Sequence, residues 1–212
     1  MDPDFWHARW TANQIGFHEG KPNAHLEAHL GRLGLAAGAR LFLPLCGKTR
    51  DIAWLLSRGL RVAGAELSPL AVTQLFDDLG VAPEISSAGR LEHRRAGGLD
   101  VFVGDIFALS ADLLGPVDAV YDRAALVALP APMRARYAAH MAAITAGAPQ
   151  LLVCFTYDQA QAEGPPFSVP AEDVRALYGA AYRPALLESR PVPGGLKGKV
   201  PAEEQAWLLE PA

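Results

Sequence analysis

Apolar positions along the chain change period several times, and each change marks an element. From Asn23 onward, Leu26, Leu30 and Leu33 recur at helical spacing, and Gly34 or Gly38 can end that helix. Leu41-Phe42-Leu43 is a short unbroken apolar run, as in a strand buried on both faces, and a turn follows from Pro44 to Thr49. Asp51 to Arg58 carries Ile52, Leu55 and Leu56 on one side and stops at Gly59, which predicts a helix. Leu60 to Glu66 predicts a second strand, after which Ser68 and Pro69 supply the N-cap and first residue of a helix reaching Leu79 and Gly80. The same reading gives strands over Leu99–Val103, Asp118–Tyr121 and Gln150–Phe155, and helices over Pro132–Ile144 and Pro170–Tyr178. Glu172 and Asp173 complement the macrodipole in the first turn of the last helix. Ala181 to Leu209 predicts two strands joined through Pro193-Gly194-Gly195. Ser86 to Leu99 breaks the rhythm; Arg90–Arg95 and Gly97-Gly98 predict a hairpin grafted onto the same domain.

Strands alternating with helices imply an α/β fold: a mostly parallel sheet with helices on both faces. One domain over residues 1–212 is expected, its first 20 residues forming an arm whose Trp6, Trp10 and Phe17 need something to cover. Composition narrows the partners. The net charge is −4, from 19 basic and 23 acidic side chains, without a dense basic block, which disfavours nucleic acid. No apolar run is long enough for a membrane span, and Asp2, Asp4, His7 and Arg9 make the first ten residues unlike a signal peptide. Cys46 and Cys154, the two cysteines, lie far apart, which suits a reducing, cytoplasmic setting and excludes a four-thiolate zinc site. A monomer acting on a small molecule, with no metal, is expected.

In an open α/β sheet ligands sit beyond the carboxyl ends of the strands. The first such turn, Pro44-Leu45-Cys46-Gly47-Lys48-Thr49, has one glycine where a dinucleotide fingerprint needs three, and Phe42 stands where a phosphate loop needs its first glycine. The phosphate grip is missing. Glu66, at the end of the second strand, is nonetheless placed to accept hydrogen bonds from ribose hydroxyls, and Asp105, after the third, to accept from an adenine amine. Either acid alone is equally readable as a helix cap. Together, without a phosphate loop, they suggest adenosine lacking phosphates, as in S-adenosylmethionine, whose sulfonium could meet Trp6 or Trp10 through cation–π attraction.

Phe5-Trp6-His7-Ala8-Arg9-Trp10, Gln14-Ile15-Gly16-Phe17-His18, Pro44-Leu45-Cys46-Gly47-Lys48, Gly64-Ala65-Glu66-Leu67-Ser68, Gly104-Asp105-Ile106-Phe107 and Tyr121-Asp122-Arg123-Ala124 follow one another in an order that resembles the thiopurine S-methyltransferase family. Tyr157-Asp158-Gln159 and Gly164-Pro165-Pro166-Phe167 continue it, so the likeness runs from Trp6 to about Tyr178. The resemblance implies a class I, Rossmann-like S-adenosylmethionine-dependent methyltransferase that methylates sulfur in thiopurines or related aromatic thiols, a detoxification chemistry. It also implies that Trp6, Trp10, Leu45, Glu66, Asp105, Ile106 and Arg123 hold the cofactor and that Phe17 meets the acceptor ring. Thr156 and Ala65 depart from the family's usual acid and valine, and Gly194–Val200 is shorter than the mammalian segment that carries a substrate-facing arginine. Lys197 or Lys199 would have to replace it.

Methylation of selenium or tellurium oxyanions, or of halide and thiocyanate ions, is the neighbouring alternative, and a non-catalytic cofactor-binding module is the alternative from another class. A heteroaromatic thiol ionises readily, so no residue is assigned as a general base. Arg123 is read as partner to a thiolate or to the donor's carboxylate, or as a bridge from Asp122 to the next helix. The arm is expected to be mobile until ligand closes it. Pro165-Pro166 and Phe167 are expected to line the acceptor pocket, Cys46 to be structural, and His25 and His29, one helical turn apart, to lie on a solvated helix face.

Overall fold

The computed structural model describes residues 3–212; the first two residues of the arm lie outside it. Nine strands form one sheet: β1 (Arg40–Pro44), β2 (Arg61–Glu66), β3 (Glu84–Ala88), β4 (Leu91–Ala96), β5 (Leu99–Val103), β6 (Ala119–Arg123), β7 (Gln150–Tyr157), β8 (Tyr182–Pro191) and β9 (Ala202–Pro211). Their order is β3-β4-β5-β2-β1-β6-β7-β9-β8. The five central strands, β5 through β7, run parallel, and the flanking pairs are antiparallel.

Strand alternation divides the core. Leu41 and Leu43 of β1, Leu151 and Val153 of β7, and Leu208 of β9 pack on one face, while Phe42, Leu152, Cys154 and Trp207 pack on the other. The first face is covered by α2 (Ala24–His29), α3 (Arg50–Ser57) and α4 (Pro69–Leu79), through Leu26, Ile52, Leu55, Leu75 and Phe76. The second is covered by α5 (Ala111–Leu114), α6 (Ala131–Ile144) and α7 (Ala171–Tyr178), through Leu114, Tyr137, Met141 and Val174. No described helix is long and apolar enough to cross a membrane.

Caps follow local chemistry. Ser68 caps α4 by accepting from the Ala71 amide, Pro69 takes its first position, and Gly80 ends it at φ 68°. The arm holds an element that no pattern announced, and three expectations need correction. The arm contains a helix, α1 (Pro3–Thr11), which has no apolar stripe to announce it and rests on tertiary contacts of Trp10, 4% exposed. The leucine-spaced helix is α helical only over α2; Leu30–Leu33 tightens into a 3-10 turn. The graft is more than a hairpin, because β3 and β4 continue the sheet beyond β5. The connection between β8 and β9 spans 192–201 rather than a tight Pro-Gly-Gly turn, and a Leu196–Val200 bridge closes it.

Candidate active site

A cavity of about 460 Å³ opens at the carboxyl ends of β1, β2, β6 and β7, around the switch point between β1 and β6. Leu45, Glu66 and Arg123 line it from the strand ends, and Trp6, Trp10 and Phe17 from the arm. Two strand-end residues that face it, Leu45 (φ 47°) and Ala124 (φ 62°), hold left-handed backbone without being glycine. Such outliers mark places where the surroundings over-determine the chain.

Glu66 is a buried charge on this wall, 6% exposed. Its Oε2 accepts from the Gly47 amide and its Oε1 from the Ser68 amide, both at 2.8 Å. Burial pushes its pKa up, and the Ser68 and Gly47 amides oppose the rise. Each carboxylate oxygen has two lone-pair sites, so one on each remains for a diol. Gly47 matters sterically as well: its φ is +53°, and a Cβ there would stand 3.0 Å from the Trp10 ring. Beside it Cys46 is buried, and burial first, then the Glu66 charge, drives its thiol well above the usual range. That makes it packing, not a nucleophile.

The arm is closed over this floor. Phe17 stacks edgewise on Trp10, with ring centroids 5.6 Å apart, and on Trp6 at 5.8 Å. Arg123 holds it: Nη1 donates to the Phe17 carbonyl at 2.8 Å and Nη2 to Glu19 at 2.5 Å. Arg123 is the last residue of β6 rather than a loop residue, and it bridges to the arm instead of to the following helix. The arm expected to close over a ligand is packed in its closed form here.

Asp105 and Ile106 are not brought to the cavity wall. Asp105 is exposed and caps a 3-10 turn by accepting from the Phe107 amide at 3.0 Å, so its cap role is realised. Ile106 is buried in the second-face core, and its carbonyl meets His140. Phe167 is likewise absent from the wall: it lies against Gly164 with Arg134 above its ring, and Phe155 takes its place beside Pro165 and Pro166. Lys197, from the loop between β8 and β9, does reach the wall.

Sequence reasoning missed several wall residues. His18 is one; burial, then Lys48 and Arg50, lowers its pKa and keeps the imidazole neutral. Asp51 is another, fixed by the Asn23 amide at 2.7 Å and the Thr49 hydroxyl at 3.0 Å. Tyr121 is a third. Its buried hydroxyl has no hydrogen-bond partner, and burial, then the Asp51 charge, drives its pKa well above the usual range. A tyrosine inside an apolar strand run carries no sequence signal that it faces a cavity.

A buried carboxylate with open lone pairs, an unpaired hydroxyl and an aromatic lid, with no backbone phosphate cradle, is a donor set that fits an adenosine bearing a sulfonium. Fold and site together define a Rossmann-like methyltransferase. The family model for thiopurine S-methyltransferase (TPMT) matches residues 1–202, and the chain belongs to that family. It is 65% identical to the thiopurine S-methyltransferase of Xanthobacter autotrophicus over 213 residues, covering 100% of both chains. It is 48% identical to that of Gluconobacter oxydans, covering 98% of this chain and 94% of the other. Among solved structures, Burkholderia thailandensis 1,6-didemethyltoxoflavin-N1-methyltransferase, crystallised with S-adenosylhomocysteine, superposes with a TM-score of 0.66 at 17% identity, over 98% of this chain and 87% of that one.

Proposed function

We propose that this chain is a single methyltransferase domain that moves a methyl group from S-adenosylmethionine to the sulfur of thiopurines or related aromatic thiols. The observation that carries the reading is the buried Glu66 carboxylate, its remaining lone pairs at the cavity floor beneath the Trp6-Trp10-Phe17 lid. When bound, S-adenosylmethionine supplies an electrophilic methyl on a cationic sulfur. Glu66 would take the ribose hydroxyls, and Leu45 and Trp10, on the same wall, would hold the nucleoside. Asp105 and Ile106 follow β5, whose Val103 pairs with Glu66, so they stand next along the strand-end rim but outside the wall that would hold the nucleoside.

The acceptor's sulfur must face the methyl group in line, and orienting it supplies most of the acceleration. Phe17 and Phe155 give it flat apolar surfaces, which favours an aromatic thiol over a small inorganic anion. Arg123 shuts the arm through two of its N–H groups and so excludes water, its charge paired with Glu19 at the cavity wall. His18 lines the same wall, and burial with the nearby Lys48 and Arg50 charges disfavours its protonation, so the thiol's own acidity supplies the thiolate.

Purified protein incubated with methyl-labelled S-adenosylmethionine and a panel of aromatic thiols, selenite, tellurite and thiocyanate tests this. Label should pass to the aromatic thiols fastest. Transfer only to the inorganic acceptors would overturn the acceptor class, and tight NAD binding without transfer would overturn the whole reading.

A further inference from the structure

The expected solvated face carrying His25 and His29 is not solvated. His25 is 1% exposed, and both of its ring nitrogens are buried without a hydrogen-bond partner. A buried imidazole whose two nitrogens make no hydrogen bond, and meet carboxylates only at longer range, asks for an explanation such as an ion. Three further groups surround it. His29 lies one turn on in α2, its ring nearly parallel at a centroid distance of 6.1 Å. Glu188 of β8 puts Oε2 3.5 Å from His25 Nδ1 and 2.8 Å from His29 Nε2. Glu204 of β9 lies 3.7 Å from the other His25 nitrogen, Nε2.

We propose that His25 Nδ1, His29 Nε2 and Glu188 Oε2 form a binding site for a divalent d-block cation of the zinc type, distinct from the methyltransferase cavity. Their ligand atoms all lie within 4.8 Å of one another, and tetrahedral zinc, with bonds near 2.1 Å, spaces its ligands by roughly 3.4 Å. Small side-chain rotations close that gap.

Two features show the site to be built rather than accidental. A β-bulge falls between Leu186 and Glu188, so Leu187 packs on the α2 side of the sheet and Glu188, the next residue, meets His25 and His29 on that same side. Without the bulge, strand alternation would send Glu188 to the opposite face. The outer partners are also in place. Arg190 occupies Glu188 Oε1 at 2.6 Å, leaving Oε2 for the imidazoles. Glu204 stands behind His25 Nε2, the carboxylate–histidine–metal arrangement that fixes a ligand's tautomer, and Asn23 donates to the other Glu204 oxygen at 3.4 Å.

Two imidazoles and a carboxylate suit zinc, nickel, cobalt or copper and not magnesium or calcium. Water completes the shell, since His29 and Glu188 side chains are 17% and 30% exposed. The cation would pin α2 to the β8–β9 pair. Nothing in this depends on the methyl-transfer reading.

The test uses untagged, chelator-dialysed full-length protein titrated with zinc by calorimetry and with cobalt by visible absorption. The partly exposed ligands are varied, because substituting the buried His25 risks the fold: His29→Ala and Glu188→Gln, with His140→Ala as a control. Wild type and control should bind one zinc per chain and melt at higher temperature with it. Either ligand variant should lose ~10-fold or more in affinity and the zinc-dependent part of the melting shift, while circular dichroism stays native. Failure of wild type to bind, or unchanged binding in both ligand variants, overturns the proposal.

Discussion

Two strand ends at the same rim each carry a buried carboxylate, and they are put to opposite uses. Glu66, closing β2, turns toward the cavity and takes two backbone amides on separate oxygens. Asp122, in β6, turns away: its Oδ2 accepts from the Tyr137 hydroxyl at 2.7 Å and its Oδ1 from the Leu126 amide at 3.1 Å, fully inside the core. Burial raises both pKa values, that of Asp122 to about 6 despite Tyr137 and Leu126. Burial disfavours the charged form in both places. What differs is whether lone pairs remain for a ligand, and only Glu66 keeps them at a wall.

The comparison can be broken most directly at Glu66. Glu66→Ala should weaken adenosylhomocysteine binding ~100-fold or more, about 3 kcal/mol for two hydroxyl–carboxylate bonds, read by calorimetry on variants with a native melting profile. An unchanged dissociation constant would remove Glu66 from the ligand's partners.

Asp122 sharpens the contrast through pH. Its native pKa lies above the unfolded one, so the folded chain holds this proton more tightly. The resulting stability is fully present below pH 3.8 and is lost as pH rises through about 6. Asp122→Asn retains a donor and an acceptor but cannot ionise. Its stability relative to wild type should therefore improve by on the order of 2–3 kcal/mol from pH 4 to 7, measured by urea unfolding, with ligand affinity untouched. A pH-independent difference between the two proteins would be inconsistent with a protonated native Asp122.

The smallest effect concerns the neighbouring residue. Arg123→Lys retains the charge but not the planar fork that serves Phe17 and Glu19 together. Proteolysis within the first 20 residues should accelerate ~10-fold without ligand, corresponding to about 1.4 kcal/mol of lost latch. Equal cleavage rates would show that aromatic packing alone closes the arm.

The parallel centre of the sheet was legible because Leu41-Phe42-Leu43 and Gln150–Phe155 are apolar on both faces and are separated by capped helices. Glu66 and the missing phosphate loop were legible because each is a residue type at a fixed distance from a strand end. Helix α1 was not, since its stability lies in contacts with Gly47 and Phe17, far along or outside its own sequence. Nor was the role of Asp105, where a cap and a ligand contact demand the same residue.

Local pattern and order thus determined the alternation of strand and helix, the family likeness and the carboxylate at the second strand, because propensity, capping and spacing act over a few residues. Only the tertiary structure decided that Arg123 latches the arm, that Phe155 rather than Phe167 faces the cavity, and that a buried His25 and a half-buried His29 meet Glu188. Those outcomes depend on which way a side chain points across 104 or 159 residues of intervening chain, and on a one-residue bulge that no local pattern encodes.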